Sequence, residues 1–458
     1  KEIQVAPRAM AQKFPAGCGV YDADGSLAAL FEARGIRGAA FVADLSDAAA
    51  LKRFRVLWVN FAQAKLHARE WARVRGGLDR FVRAGGRVVL DSPPEYAWGD
   101  LPVKLKNGKG YADGSRLEIT YAFIVAPFHP ALKGLTDADF SLWGGDYYVA
   151  RRCFETPQEG NAKPLLVAGT DRQGLTSSPL MELRSGRGAW LVSSLEIVPK
   201  LLDEPRAVEF LCRLAGCPAP GTRVASVGAA VTPDTLRMFR EVGYAGRNAS
   251  PRAALAADIS LLDGERLDVA RDAGRVRAAL RRGGTVYAHD LGVARTRALL
   301  AALRLRGTVK SGKAQAREYD TFRHAHALAD GMTSNYLYWI VNKAKVAAWT
   351  LAPLHPEPAS ALVRAPGRAA ALTRRGAAVV FQTGRGRLVV DNLRWQLQGF
   401  DEPERPRRYV MALLTNLGVP LAEGAPNNRG RPDRIRGAAK RFSREFETEA
   451  ERRERGHF

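Results

Sequence analysis

Ala84-Gly85-Gly86-Arg87-Val88-Val89-Leu90-Asp91 closes a helical stretch over residues 68–84 and opens an apolar run. Glycine pairs end helices because they reach left-handed backbone angles without strain, and a continuous apolar run of this length reads as a strand buried on both faces. The same words return downstream. Arg282-Gly283-Gly284-Thr285-Val286-Tyr287 places Gly283 198 residues after Gly85. Gly186-Arg187-Gly188 and Asp203-Glu204-Pro205 are answered by Gly384-Arg385-Gly386 and Asp401-Glu402-Pro403, each again 198 residues on. His129, Gly134 and Thr136 match His326, Gly331 and Thr333 at 197 residues, with Trp143 and Trp339 close behind. The sequence therefore reads as an internal duplication. Solenoid repeats of about 20–50 residues cannot bury a core alone, whereas a unit this long can be a complete domain.

Working outward, Gly19-Val20-Tyr21 leads into a helical stretch ended by Gly35, and Ala39-Ala40-Phe41-Val42 and Val56-Leu57-Trp58-Val59 are further apolar runs. Strands alternating with helices predict a parallel sheet. After Asp91 the pattern changes to a hairpin turning at Gly186-Arg187-Gly188, with a closing helix from about Pro205 to Ala215. The second half repeats this through Ala377–Phe381, Arg387–Asp391 and a helix from about Pro406 to Leu417. The expected fold is α/β: two homologous flavodoxin-like domains in tandem, over residues 15–218 and 222–420. A lead segment covers 1–14, and a basic tail covers 421–458. Ile435, Ala439, Phe442, Phe446 and Ala450 make a helical stripe in that tail, which predicts a helix from about 434 that docks on the body or on a partner.

The net charge is +23, from 70 Lys and Arg against 47 Asp and Glu. The charge is spread over both halves without one basic stripe, so an arginine-rich composition accounts for it and a nucleic-acid partner is not expected. No run of about eighteen apolar residues is present to span a bilayer. Cys18, Cys153, Cys212 and Cys217 have no CxxC spacing, so neither a zinc knuckle nor a disulfide framework is indicated. No metal and no cofactor are expected.

The runs 129–152 and 178–216 resemble the class I glutamine-amidotransferase-like domains at the C-terminal ends of bacterial family 2 β-galactosidase-like glycoside hydrolases. The resemblance covers nearly all of the first half and, more weakly, the second. It implies a flavodoxin-like fold, partnership with a glycoside hydrolase catalytic domain or subunit, carbohydrate contact, homo- or hetero-oligomerisation, and a periplasmic or extracellular bacterial setting if the parent is a secreted glycosidase. Active amidotransferases hold a Cys on a tight strand-to-helix elbow beside a base. Here the strand ends read Asn60-Phe61-Ala62 and Asp91-Ser92-Pro93-Pro94, and Ala288-His289-Asp290-Leu291 in the second half, without a cysteine. Family 2 catalysis uses two carboxylates about 5 Å apart on a barrel of about 250 residues, for which two flavodoxin-like units leave no room. The expected function is a non-catalytic accessory or assembly module of a carbohydrate-active protein. The alternatives are a hydrolase with its site in a cleft between the domains, near Asp91, Glu95 and His289, and a binder of anionic polymers.

Ligands of open α/β sheets sit beyond the carboxyl ends of the strands. That rule selects Asp22, Asn60, Asp91 and Glu95, with Tyr96 and Trp98 to stack on a sugar, and Asp263, His289 and Asp290 in the second half. Capping of helices and turns is the competing role for these polar residues. Trp143-Gly144-Gly145-Asp146-Tyr147-Tyr148 offers an aromatic platform with a carboxylate, against a packing role, and Tyr336-Leu337-Tyr338-Trp339-Ile340-Val341-Asn342 is its counterpart. His129 and His326 are expected to cap turns, and the Gly-Arg-Gly segments to form hairpin turns.

Overall fold

The computed structural model describes residues 12–61, 66–108, 119–170, 174–220, 225–311, 322–333, 359–367, 369–395 and 404–423. The tail helix, the aromatic segment 336–342 and Asp401-Glu402-Pro403 lie outside them.

The first half runs β1 (Cys18–Tyr21), α1 (Ser26–Arg34), β2 (Ala40–Val42), α2 (Ala48–Leu51), β3 (Val56–Asn60), α3 (Ala68–Arg83), β4 (Arg87–Asp91) and α4 (Glu95–Trp98). It continues with β5 (Phe123–Ile124), β6 (Phe154–Glu155), β7 (Ala162–Thr170), β8 (Gly174–Ser185), β9 (Gly188–Ser193) and α5 (Pro205–Gly216). Its sheet has the order β2-β1-β3-β4-β9-β8-β7-β5, with β6 on β8. The pairs among β2, β1, β3, β4 and β9 are parallel, which is the flavodoxin-like order, and β8 and β7 extend the sheet antiparallel.

The second half runs β10 (Val227–Ala230), α6 (Pro233–Glu241), α7 (Pro251–Ala254), β11 (Ile259–Asp263), α8 (Val269–Arg281), β12 (Thr285–His289), α9 (Gly292–Ala302) and β13 (Thr308–Ser311). It ends with β14 (Ala361–Arg364), β15 (Ala369–Ala371), β16 (Ala378–Thr383), β17 (Gly386–Asp391) and α10 (Glu404–Leu417). The sheet order is β10-β11-β12-β17-β16-β15, with β13 and β14 paired apart from it. Beyond β10, where the first sheet has β2, a single bridge joins Ala229 to Asn248. The Asn248 side chain accepts from Val231 N–H at 3.0 Å and donates to its carbonyl at 2.7 Å, satisfying the edge in place of a strand.

Local chemistry explains the elements. Helix α3 buries Trp71, Val74, Leu78 and Val82 along one stripe and turns its charged residues outward. Glu204 caps α5 by accepting from Arg206 N–H and also holds Gly144 N–H, each at 3.0 Å, while Pro205 fills the first helical position. That is the work of the first Asp-Glu-Pro segment. In the Gly-Arg-Gly turns the first glycine has positive φ, 55° at Gly186 and 63° at Gly384. The second glycine is needed for closeness: a Cβ on Gly188 would collide with the carbonyls of Gly86 and Val82, and one on Gly386 with that of Leu280.

Both sheets lie in one compact unit. One core, containing Leu57, Leu78 and Trp190 of the first half, is continuous with Phe239, Tyr409 and Leu413 of the second. The opposite face of the first sheet packs α1 and α5 through Phe31, Phe210 and Leu211, and the opposite face of the second packs α8 and α9 through Val276 and Leu299. Polar contacts seal the junction. Asn161 donates to the Val419 carbonyl at 3.0 Å and accepts from Leu421 N–H at 2.7 Å, and Arg408 Nε donates to the Thr156 carbonyl at 3.1 Å.

Candidate functional site

Strands β3, β4 and β9 end in register, so Asn60, Asp91 and Ser193 stand side by side at the carboxyl edge of the first sheet. Asp91 is buried, and Asn60 Nδ2 donates to its Oδ2 at 2.7 Å. Burial pushes the Asp91 carboxyl up to about 7, the hydrogen bonds of Asn60 and Ser193 pull against that, and the Glu196 carboxylate adds to it. The next residue, Ser92, has φ 54° and donates its N–H to the Ser193 carbonyl at 2.7 Å. Pro93 and Pro94 then turn the chain into α4, where Trp98 Nε1 donates to the Pro93 carbonyl at 2.9 Å. This is a strand-to-helix elbow carrying serine.

A cleft of about 450 Å³ opens beside the elbow. Phe61, Leu66, Tyr96, Trp98 and Phe154 form its apolar wall, with Trp98 edge-on to Phe154 at 5.3 Å between centroids. Its polar lining is Ser92, His67, Arg151, Arg152, Ser194 and Glu196. Ser194 Oγ donates to the Arg152 carbonyl at 2.7 Å, fixing the arginine pair against the end of β9. Arg151 is engaged by Asp146, by Glu196 at 3.5 Å and by the Tyr148 ring at 4.9 Å. Burial raises the Glu196 carboxyl above its ordinary range, with Arg151 opposing.

The residues selected from the sequence separate into groups. Asn60 and Asp91 form the floor of the elbow, and Trp98 lines the cleft. Asp22 caps α1, accepting from Leu27 N–H at 3.2 Å and Ala28 N–H at 2.9 Å. Glu95 is exposed in α4 and accepts from Asn107 at 3.2 Å, outside the cleft lining. Trp143 is fully buried against Phe140, its Nε1 donating to the Asp139 carbonyl at 2.8 Å. The platform expected around it is corrected accordingly, because a ring enclosed on both faces has none to offer a sugar. Asp146 pairs with Lys200 and Arg151. His129 and His326 do cap turns, accepting from Ala131 N–H at 3.3 Å and Leu328 N–H at 3.1 Å.

The second sheet brings Asp263, His289 and Asp391 into the same register that Asn60, Asp91 and Ser193 hold in the first. Here the space is filled. Trp395 stacks on the His289 ring at 4.1 Å, and Asp391 Oδ2 accepts from Tyr287 at 2.7 Å, Tyr409 at 2.8 Å and Trp395 at 3.2 Å. His289 is fully buried, with Nε2 on the Leu393 carbonyl at 2.8 Å and Nδ1 3.7 Å from Asp263. Burial opposes its charged form, but Asp263, Asp391 and Asp290 outweigh burial and hold its pKa above the ordinary value. Asp290 follows on the elbow with φ 47°, its side chain 3.6 Å from Arg394. Asp91, Glu95 and His289, expected near a cleft between the domains, do not line this cleft, whose lining residues all fall between Phe61 and Glu196.

None of the four cysteines stands on either elbow or in the lining of the cleft. Burial pushes Cys18 up to about 12 and Cys153 well above its ordinary value, so neither supplies a thiolate. Among the described residues no group of His, Cys, Asp and Glu is arranged to hold a metal ion, and no helix is long and apolar enough to cross a membrane. Sequence reading passed over Phe61, His67, Ser92, Arg151, Arg152, Phe154 and Glu196. For Ser92 the signal was the polar residue between a strand end and two prolines, whereas Arg151 and Arg152 come from a distant loop and carried none.

No protein-family profile matches the sequence, and no curated protein matches it. Solved structures are similar over part of its length. A cytoplasmic protein from Salmonella typhimurium aligns with 44% of this chain and 98% of its own, at 12% identity and a TM-score of 0.28. A β-galactosidase from Bacillus circulans sp. alkalophilus aligns over 45% of this chain and 32% of its own, at 12% identity and a TM-score of 0.23. A putative GMP synthase component from Thermoplasma acidophilum aligns over 41% and 94%, at 9% identity and a TM-score of 0.25.

Proposed function

We propose that the chain is a non-catalytic, tandemly duplicated amidotransferase-like module of a carbohydrate-active protein, whose first half binds glycan and whose second half serves assembly. The observation that carries the reading is the cleft beside Ser92, where the exposed Tyr96 ring, backed by buried Phe61, Trp98 and Phe154, stands with hydroxyl, guanidinium and carboxylate groups. Sugars are bound in this manner, their apolar faces on aromatic rings and their hydroxyls on polar side chains, and the carboxyl end of a parallel sheet is where α/β folds hold ligands. Duplication is supported by the shared strand order and by the matched Asn60-Asp91-Ser193 and Asp263-His289-Asp391 registers. The two proposed domains are residues 15–218 and 222–420, and the proposed partner is a glycoside hydrolase catalytic domain or subunit. The experiment is a saccharide titration followed by tryptophan fluorescence and calorimetry. Binding should weaken about tenfold in Tyr96→Ala, whose ring lines the cleft and is 42% exposed. Absence of saccharide binding at millimolar concentration sinks the glycan reading.

A second reading, hydrolysis, is favoured by the strained elbow at Ser92, the backbone arrangement that presents a nucleophile in α/β hydrolases. Release of p-nitrophenol from p-nitrophenyl acetate, lost in Ser92→Ala, would replace the non-catalytic reading with that one.

A further inference from the structure

The cleft beside Ser92 has an uneven charge balance. Glu196 and Asp146 engage Arg151, and this leaves Arg152 without a carboxylate partner among the described residues. The Arg152 backbone is fixed by Ser194, so the side chain starts from a point held at the end of β9 rather than from a loose loop. His67, the other cation-capable side chain of the lining, has no hydrogen-bond partner among the described residues and sits at the start of α3.

Resting on the glycan reading above, we infer that the cleft selects a sugar bearing a single carboxylate, a uronic acid residue, with Arg152 as the group that reads the carboxylate. A guanidinium presents paired N–H donors that match a carboxylate's two oxygens, and a charge-assisted pair of this kind is stronger than a neutral hydrogen bond. The same cleft limits the ligand's charge. Glu196 lines it too, and a second negative charge on the ligand would meet that carboxylate, so the balance suits a monoanion better than a phosphate dianion. The Tyr96 ring, exposed where Phe61, Trp98 and Phe154 are buried behind it, then takes the face of the sugar ring, which a bare carboxylate would leave empty.

The test compares three pairs of sugars on the full chain by saturation-transfer NMR and calorimetry: galacturonic acid with galactose, glucuronic acid with glucose, and mannuronic acid with mannose. At least one acid should bind about tenfold or more tightly than its neutral partner. Arg152→Gln should weaken the acid about tenfold more than its neutral partner and so remove that preference, and raising the salt should shrink the preference in the wild type. Arg152 is exposed, so this variant is expected to fold, and an unchanged circular-dichroism melt checks that it does. Equal affinity within every pair overturns the uronate inference and leaves the glycan reading in place. A preference that survives Arg152→Gln overturns the role given to Arg152. Failure of all six sugars to bind overturns the glycan reading and this inference with it.

Discussion

Ser92 and Asp290 hold the same place in the two sheets. Each follows the last residue of the corresponding parallel strand, each has a left-handed backbone with φ of 54° and 47°, and each donates its N–H to a carbonyl of the neighbouring strand, Ser193 at 2.7 Å and Asp391 at 2.8 Å. A non-glycine residue in this region costs on the order of 1 kcal/mol or more. Ser92→Gly should therefore raise stability by about 1 kcal/mol, and Ser92→Val should lower it by about 1–3 kcal/mol, in urea denaturation. Asp290→Gly should gain less, because it also loses the contact with Arg394. Equal or lower stability for Ser92→Gly would show that the Ser92 hydroxyl holds a stabilising contact that outweighs the backbone strain.

The buried acid beside that elbow sets a pH dependence. Folded Asp91 keeps its proton to about 7, whereas the unfolded chain releases it near pH 4. A raised pKa contributes stability that is present below the unfolded value and is lost as pH rises towards the folded one, here on the order of a few kcal/mol across pH 4–7. His289, also raised, acts in the same direction from its own unfolded value near 6.5. Asp263 is lowered to about 2, despite burial, by His289 and Thr235, so its contribution is present above pH 4 and lost only as pH falls below it. Stability measured by denaturant midpoint should decline from pH 4 to 7, and Asp91→Asn should flatten that decline. His129, His324 and His326, lowered by burial, act in the opposite direction, so the assignment is contradicted by an Asp91→Asn profile with the same slope as the wild type over this range.

The second sheet's edge depends on Asp391 accepting from three aromatic donors. Tyr409→Phe removes one of them without changing shape, leaving a fully buried carboxyl group with one hydrogen bond fewer. The expected cost is about 1–3 kcal/mol by thermal or urea unfolding, and Tyr287→Phe should cost a similar amount. Because both hydroxyls serve the same oxygen, the double variant should depart from the sum of the singles. Strict additivity would mean that the two donors act independently.

How much of this was legible follows from which residues act locally. The parallel strands, the hairpin turns and the closing helices were readable because their signals are local, as in the buried run from Arg87 to Asp91 and the paired glycines at 186 and 188. The register of Asn60 with Asp91 could be anticipated from strand ends alone, since parallel strands of one sheet finish at the same edge. The other wall of the cleft could not. Arg151, Arg152 and Phe154 are brought to β9 by a connection whose course is set by contacts such as Ser194 to Arg152, and no periodicity encodes these. Trp143 shows the converse limit: glycines and a carboxylate beside an aromatic look the same in sequence whether the ring faces a sugar or the core.

Glu182 tests the electrostatics of the first sheet most severely. Its side chain is 2% exposed and accepts from Arg87 at 2.8 Å and Arg184 at 3.2 Å, with His129 Nε2 at 3.1 Å. Burial favours the neutral acid, yet the Arg87 and Arg184 guanidiniums and the His129 hydrogen bond hold its pKa well below the ordinary value, so it is charged in the folded state. Arg87 is as buried as its partner and already keeps Nε and Nη1 without hydrogen bonds among the described residues. Glu182→Gln therefore strands a buried guanidinium and should cost about 3–5 kcal/mol. Replacing both residues with apolar side chains, as in Arg87→Met with Glu182→Leu, removes the desolvation cost together with the attraction, so the double variant should be more stable than Glu182→Gln. A double variant less stable than the single would show that the ion pair is a net source of stability rather than a pair whose separation is what costs.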